Sequence, residues 1–297
     1  MKVNNRLRAI ALGTVAAGSI ALAALTGAAP AATATANPIT VPPGVSAANY
    51  TNSWGGYSVT APKGRKIAVI AATWTIPSKA FPSRSLGPTP YNATEWAGLD
   101  GLTKGQGGPE QCGVWEQAKS KSATPVYELF WEMYPSGPQF TWNGSEIVQV
   151  HPGNIVTAWI TYSNETGFFG YHEFQFEISV AANSKSPGYD YTAFSAKTNS
   201  PSRTTAEVIT EIPGNGGVPL GALDMGTIGY TGADYALQST SNADQIGPSI
   251  AVTKKALTMR YGYGKNVLQI EPSAPSKTPG ETSGLLDRFY TFWEVSS

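Results

Sequence analysis

Residues 107–135 read GGPEQCGVWEQAKSKSATPVYELFWEMYP and contain the clearest strand pattern of the chain. Two runs of alternating residues flank a short loop of Lys, Ser and Ala, which predicts two antiparallel strands joined by a turn. In the second run, alternate positions form a face that mixes carboxylates with aromatic rings: Glu128, Phe130, Glu132 and Tyr134. A face with a purely structural role is more often plainly apolar, or plainly charged and solvated. The mixed face therefore predicts the floor of a groove.

The first run divides its residues between two faces in the same way. The alternation predicts Gln111, Gly113 and Trp115 on one face of the strand, and Cys112 and Val114 on the other. The chain has one cysteine, so it cannot form an intramolecular disulfide. Because Cys112 alternates with Val114 on an apolar face, we expect a buried core thiol instead of a reactive one.

The rest of the chain repeats this pattern of short strands. Further strands are predicted at residues 66–76, 96–101, 155–163, 171–181, 204–213, 251–263, 266–270 and 286–295. Loops rich in Pro, Ser and Gly are predicted at 77–90, between 181 and 204, and over 214–232. The 297 residues include 32 Gly and 22 Pro, and only 13% are charged, which favours strands and turns over helices. The sequence therefore predicts an all-β fold, a β-sandwich of two packed antiparallel sheets of concanavalin A-like or jelly-roll type, with a concave substrate groove.

The first residues have the features of an export signal. Lys2, Arg6 and Arg8 precede a run rich in Ala, Leu and Gly, and Ala34-Thr35-Ala36 is a small-residue cleavage site. We therefore expect a secretory signal peptide over 1–36, an N-terminal arm or short leader over 37–50, and one β-sandwich domain over 51–297. A retained membrane anchor is the competing interpretation. With the signal removed, we expect a secreted, extracellular protein without a membrane segment, since no later apolar run is long enough to cross a bilayer.

Charge and histidine content exclude several classes of function. Outside the signal the chain has 17 basic and 20 acidic residues, without a basic cluster, so we expect no nucleic-acid partner. The two histidines, His151 and His172, lie in no nucleophile-elbow or similar motif, which argues against a Ser-His-Asp system and a His-based metal site. No Gly-rich phosphate loop leads from a strand into a helix. We therefore expect neither a metal nor a cofactor, and any catalysis must come from carboxylates, amides and aromatic groups.

Five segments, in this order along the chain, resemble one family. They are SWGGY at 53–57, WAGLDG at 96–101, EQCGVW at 110–115, YELFWEMYP at 127–135 and TTAEVITE at 204–211. Together they resemble the glutamic peptidases, the eqolisin family of acid endopeptidases (peptidase family G1), in a bacterial form. WAGLDG resembles the Trp-x-Gly-x-Asp-Gly motif of that family. The resemblance covers roughly residues 54–270. The last four segments, taken together and in the same order, are more specific than any one of them.

The resemblance implies a secreted acid endopeptidase that acts on proteins or peptides, and we expect it to be a monomer. The family's catalytic glutamine falls on Gln111 and its catalytic glutamate falls on Glu207. Residues implied to bind substrate or to support the pair are Trp54, Trp96, Asp100, Glu128, Glu132 and Tyr134.

This pair of residues is also chemically consistent with work in acid. Histidine, with a reference pKa of about 6.5, is protonated there, whereas a glutamate, with a reference pKa of about 4.3, is poised to exchange a proton. Ionised Glu207 would take a proton from the attacking water and return it to the leaving amine. Gln111 does not titrate, so its amide can donate a hydrogen bond to the developing oxyanion at any pH. Glu211 is the main alternative for the base, because it shares the face of Glu207 and repeats its spacing.

Two other classes of protein fit the same residues. A glycoside hydrolase could use two of the carboxylates at Glu128, Glu132, Glu207 and Glu211, with Trp rings stacking on the sugar. A sugar-binding module, or a family member that has lost activity, could use the same aromatic residues without chemistry.

Overall fold

In the computed structural model of the chain, the runs of alternating residues form strands that pair edge to edge. The structure describes these residues: 50–51, 53–102, 108–134, 136–143, 146–147, 150–163, 172–181, 189–197, 201–215, 218–239, 246–263, 266–277 and 285–296. All of them belong to the unit that spans residues 34–297. The predicted signal peptide and nearly all of the predicted arm lie outside the described residues, so both stay predictions.

The described residues form twenty-one strands and one short 3-10 helix, Pro82–Arg84. The strands of the first half are β1 Tyr50–Thr51, β2 Trp54–Thr60, β3 Arg65–Thr75, β4 Tyr91–Leu99, β5 Glu110–Ala118, β6 Val126–Met133, β7 Gln139–Phe140, β8 Trp142–Asn143, β9 Glu146–Ile147 and β10 Ile155–Ser163. Those of the second half are β11 His172–Ala181, β12 Tyr189–Lys197, β13 Thr205–Glu211, β14 Gly214–Asn215, β15 Val218–Pro219, β16 Gly221–Ala222, β17 Thr227–Ser239, β18 Ile246–Ala251, β19 Lys255–Tyr263, β20 Asn266–Pro272 and β21 Phe289–Ser296.

Most of these strands belong to two antiparallel sheets. The first, which we call the groove sheet, has the order β7-β6-β5-β4-β13-β2-β19, and β16 pairs in parallel with the start of β4. The second, the back sheet, runs β12-β11-β10-β3-β17, continues from β17 to β18 and β21, and from β21 to β20 and β19. β19 pairs with β2 through its first residues and with β20 through its last, so the two sheets are continuous there.

The core lies between the two sheets. Strands β3 and β10 of the back sheet pack over β4 and β5 of the groove sheet, and β11 also packs over β5. The apolar half of each alternating strand fills this space, as with Trp74 of β3, Phe176 of β11 and Leu129 of β6, all of which are buried. Cys112 is buried among them, with Sγ 3.7 Å from the backbone oxygen of Trp159. The prediction of an all-β sandwich with two packed antiparallel sheets is confirmed.

Several strands differ from the prediction: β4 begins at Tyr91 and not at 96, β14 to β16 lie within the predicted turns at 214–232, and β18 precedes the strand predicted from 251. The differences at β12 and β17 have a visible physical reason. β12 lies in the region predicted as a loop between 181 and 204. It is an edge strand that pairs with β11, and its Tyr191 is only partly buried. Because an edge strand buries less apolar surface, its sequence shows only a weak alternation of apolar and polar residues. β17 begins inside the stretch predicted as turns. Its Gly232 has φ of +59° and lies where the register with β3 shifts, so this glycine marks an irregularity within a long strand and not its end.

In the part of the chain that the structure describes, no helix is long and apolar enough to cross a membrane.

Candidate active site

The hairpin of β5 and β6 places an amide beside a carboxyl group on the outer face of the groove sheet. Gln111 and Glu132 are direct partners in the antiparallel register. Gln111 Nε2 donates a hydrogen bond of 2.7 Å to Glu132 Oε2, while Gln111 Oε1 has no partner among the described residues. Both side chains are nearly buried, at 7% and 9% exposure. Burial raises the pKa of Glu132, and the hydrogen bond from Gln111 opposes that rise.

A glycine in β4 makes room for an indole ring beside this pair. A β-carbon on Gly98 would lie 2.6 Å from Cζ3 of Trp96, so the Trp96 ring can cover this position only while it is glycine. The ring is fully buried, and its Nε1 donates a hydrogen bond of 2.7 Å to Glu211 Oε2 on β13. The Trp-x-Gly part of the motif thus positions an N–H donor toward a carboxyl group.

Glu211 receives a second tryptophan from β2. Trp54 is its partner in the antiparallel register and hydrogen-bonds its carboxyl group. The rings of Trp54 and Trp96 meet edge to face, with centroids 5.0 Å apart. Burial raises the pKa of Glu211 to about 8; the two indole hydrogen bonds oppose this rise, and the neighbouring Glu132 carboxyl adds to it.

Glu207 lies on the same face of β13 but in a different environment. It is directly across Gly98 from Gln111 in the sheet register. Its side chain is fully buried, and Oε2 accepts a hydrogen bond of 3.3 Å from the backbone amide of Gly101, with a further backbone bond from Leu102. Burial raises the pKa of Glu207 to about 8. The carboxyl group thus lies under the turn that follows β4.

Asp100, the acid of the same motif, holds that turn against the segment before β13. It has φ of +62°, a left-handed conformation that Asp tolerates better than most residues. Oδ1 accepts hydrogen bonds from Ser202 Oγ (2.6 Å) and the Thr204 amide (2.8 Å), and Oδ2 accepts one from the Arg203 amide (2.7 Å). Asp100 is therefore bound to backbone and side-chain donors on the far side of the turn.

A cavity of about 360 Å³ opens on the outer face of the groove sheet. Four of the predicted site residues line it, Trp54, Gln111, Glu132 and Tyr134, and so does Glu211, the alternative base. The other lining residues are Ser53, Thr94, Gly101, Gly108, Pro109, Trp115, Phe130, Pro138, Ile212 and Pro213. The predicted residues that do not line it are Trp96, Asp100, Glu128 and Glu207.

Glu128 lies beyond the cavity on the same face. It is the register partner of Trp115 and is half-buried, and burial raises its pKa. Phe130 and Trp115 line the cavity but were not named among the predicted site residues. The signal that could have found them was present, because alternation puts Phe130 between Glu128 and Glu132, and Trp115 on the face of Gln111.

The apolar wall of the cavity consists of aromatic rings, one of which is hydrogen-bonded to the side-chain amide of an asparagine. The Trp115 ring meets Phe130 and Phe140 edge to face, at centroid distances of 6.1 and 5.8 Å. Its Nε1 donates a hydrogen bond of 3.0 Å to Asn92 Oδ1. A cavity with one apolar wall and a few convergent polar groups suits a ligand that carries both side chains and amide groups.

No group of three or more side chains suited to hold a metal ion occurs among the described residues. The polar groups that the cavity brings together are a carboxamide, Gln111, and two carboxyl groups, Glu132 and Glu211.

Comparisons with known proteins add three solved structures and one family. A profile of the Peptidase A4 family matches residues 52–267. Scytalido-glutamic peptidase with a transition state analog inhibitor is 19% identical, with 73% of this chain and 96% of that chain covered and a TM-score of 0.45. SCP-B, an eqolisin bound to the tripeptide Ala-Ile-His, is 17% identical, with 82% of this chain and 98% of that chain covered and a TM-score of 0.45. Aspergilloglutamic peptidase from Aspergillus niger is 20% identical, with 69% of this chain and 99% of that chain covered and a TM-score of 0.44. A search of curated protein sequences gives no match.

Proposed function

We propose that Gln111 and Glu211 are the reacting pair of this chain, which belongs to the Peptidase A4 family and is a glutamic-type peptidase. The observation that carries the proposal is that both side chains line the same cavity, whereas Glu207 is buried under the turn at Gly101 and does not. The base is therefore assigned to Glu211 and not to Glu207, on which the family resemblance placed it. Membership of a peptidase family favours this function over a glycoside hydrolase or a sugar-binding module.

Gln111 is suited to stabilise the oxyanion. One N–H of its Nε2 is used by Glu132, which fixes the orientation of the amide, and the second N–H would donate to the carbonyl oxygen of a peptide. Since charge develops on that oxygen only as water adds, a donor held in place favours the transition state over the bound substrate. Glu132 acts here as a positioning residue for Gln111.

Glu211 is suited to carry the proton. In its ionised form it takes a proton from the attacking water as the new C–O bond forms. It then gives that proton to the amide nitrogen as the C–N bond breaks, which restores the carboxylate and releases an amine and a carboxylic acid. The indole N–H groups of Trp54 and Trp96 favour the ionised form and hold the carboxyl group in one orientation.

The pH dependence of this step follows from the pKa of Glu211. Because burial raises that pKa to about 8, the neutral form predominates at lower pH. The ionised fraction, and with it the rate of the base-catalysed step, rises about tenfold per pH unit up to that value. An acid optimum then requires a second effect that removes activity as the pH rises toward neutrality.

The substrates we propose are proteins or peptides, and the signal-like N-terminus supports export of the enzyme to an extracellular site. The extended groove face, with an apolar wall beside polar groups, supports the binding of a peptide with its side chains against Trp115 and Phe130.

The test compares three purified variants by casein digestion and by kcat/KM on a fluorogenic peptide, at several pH values from 3 to 7. We expect Gln111→Ala to lose about 10²–10³ in kcat/KM and Glu211→Gln about 10²–10⁴. Glu207→Gln is the matched comparison and should stay within about tenfold of wild type. Loss of activity in Glu207→Gln with retention in Glu211→Gln would return the base to Glu207. Full activity in both Gln111→Ala and Glu211→Gln would end the proposal.

A further inference from the structure

We infer that Glu95 and Glu116 make the native fold dependent on acid, because a proton shared between two buried carboxyl groups holds β4 and β5 against the back sheet. Loss of that proton toward neutral pH would unfold the sheet that carries the groove. This inference goes beyond the catalytic proposal and does not rest on it.

The two residues are neighbours on the inner face of the groove sheet. In the register of β4 and β5, Glu116 pairs with Ala93 and Glu95 pairs with Val114, so the two glutamates are diagonal neighbours on one face. Both are fully buried, at 0% exposure. They therefore point into the apolar core between the sheets, where Val114 and Ala93 are also buried.

The carboxyl oxygens of this pair have few partners. None of the four receives a hydrogen bond from another group of the described residues, except that Glu116 contacts its own backbone amide. The two carboxyl groups lie within hydrogen-bonding reach of each other. A hydrogen bond between two carboxyl groups needs a proton on one of them, and two ionised carboxylates in contact in an apolar core repel strongly.

The groups around the pair do not compensate its charge. Tyr127 of β6 and Tyr230 of β17 are close enough for the pair to act on their ionisation, and Thr210 of β13 is the register partner of Glu95. Among the described residues Arg203 is the one buried cation, and its guanidinium binds Gln238 Oε1 at 2.7 Å and stacks on Tyr162. The pair therefore has no buried cation to stabilise its ionised form in the described part of the chain.

The direction of the pH effect follows from burial. Burial raises the pKa of Glu95 from 4.5 to about 7, and burial together with the neighbouring Glu95 raises the pKa of Glu116 well above its ordinary value. Because the native pKa values exceed those of the unfolded chain, the native state binds more protons than the unfolded state. The stabilisation is fully present below pH 4.5 and is lost as the pH rises through about 7.

The loss would reach the active site directly. β4 carries Trp96 and β5 carries Gln111, on the opposite face of the same two strands. Ionisation of the pair therefore removes activity by undoing the sheet, and this supplies the loss at higher pH that an acid optimum requires.

The main experiment measures urea unfolding by near-UV circular dichroism at each half pH unit from 4 to 8. Compared are the full chain as wild type, the double variant Glu95→Gln/Glu116→Gln, and the control Glu271→Gln, which removes an exposed carboxyl group. Between pH 5 and 7 we expect the unfolding constant of wild type and control to rise about tenfold per pH unit for each proton released. In the double variant, the rise of the unfolding constant should be smaller by at least a factor of ten per pH unit. Glu207 and Glu211 are present in all three proteins and contribute a remaining pH dependence to each. Equal pH slopes in the double variant and in wild type would overturn the inference.

A second measurement covers the case in which the double variant does not fold. Unfolding of wild type at pH 6, followed by calorimetry in buffers of different ionisation enthalpy, should release at least one proton per molecule, and the single variant Glu116→Gln should release fewer. Proton uptake by wild type, or equal release from the single variant and wild type, would overturn the inference. Neither measurement uses catalysis, so its outcome is separate from that of the proposed function.

Discussion

The two faces of the groove sheet carry the same kind of group with opposite consequences. On the outer face, Glu132 and Glu211 line a cavity, and each receives N–H donors, from Gln111 and from the indole of Trp96. On the inner face, Glu95 and Glu116 have each other and, within the described part of the chain, no donor from another side chain. Burial raises the pKa of carboxyl groups on both faces. A raised pKa makes stability depend on pH on either face, but only a carboxyl group with access to the cavity and fixed N–H donors is placed to do chemistry.

The largest effects are expected when the carboxyl groups of one face are neutralised and those of the other face are kept. Glu211→Gln should lose about 10²–10⁴ in kcat/KM and keep the part of the pH-dependent stability that comes from Glu95 and Glu116. Glu95→Gln/Glu116→Gln should keep wild-type kcat/KM at pH 4 within a few-fold and retain activity after an hour at pH 7 that inactivates wild type. Residual activity after return to pH 4 is the measurement. If Glu95→Gln/Glu116→Gln lost kcat/KM at pH 4 as Glu211→Gln does, the two faces would not have separate roles.

The turn after β4 offers a test of stability on the groove side. Asp100→Asn keeps the shape of the side chain but leaves one acceptor oxygen, whereas the three donors now bind two carboxylate oxygens. We expect the variant to lose about 2–4 kcal/mol of unfolding free energy, measured by urea unfolding at pH 4. Asp190→Asn, on the exposed start of β12, is the control and should change little. A loss below about 0.5 kcal/mol would show that the turn does not depend on these bonds.

The indole donor to Glu211 should set the pH at which the base ionises. Trp96→Phe removes the N–H that lies 2.7 Å from Glu211 Oε2 and keeps most of the ring. A hydrogen bond to a charged group contributes about 1.5–3 kcal/mol, so the acid limb of kcat/KM should move up by about one to two pH units. Trp115→Phe is the matched control, because its N–H binds Asn92. An acid limb that stays in place would mean that Glu211 is not the base.

The smallest effect is expected at the rim of the groove. Tyr134 lines the cavity and is 51% exposed. Tyr134→Ala should raise KM for a peptide substrate by a few-fold, with kcat nearly unchanged, because contacts made equally by bound substrate and transition state affect binding alone. The unfolding free energy should change by less than about 0.5 kcal/mol. A fall in kcat with KM unchanged would instead place Tyr134 among the groups that act in the transition state.

Much of the groove could be predicted because strand alternation is a local property. The spacing in 107–135 placed Gln111 and Glu132 correctly on the outer faces of paired strands, and the spacing in β13 correctly put Glu207 and Glu211 on one face. The same alternation put Cys112 in the core. It could not assign roles to Glu95 and Glu116, because each lies in a run whose apolar face reads as ordinary core.

Strand alternation is enough to predict which residues share a face, since the side chains of a strand point alternately to its two sides. Which of the two glutamates of β13 lines the cavity depends instead on how distant strands pack together. The turn at Gly101 covers Glu207, while tryptophans from β2 and β4 converge on Glu211, and both arrangements depend on strands far apart in the chain. The tertiary structure likewise brought Glu95 and Glu116 together in the core, because a diagonal contact exists only when two strands pair in one register.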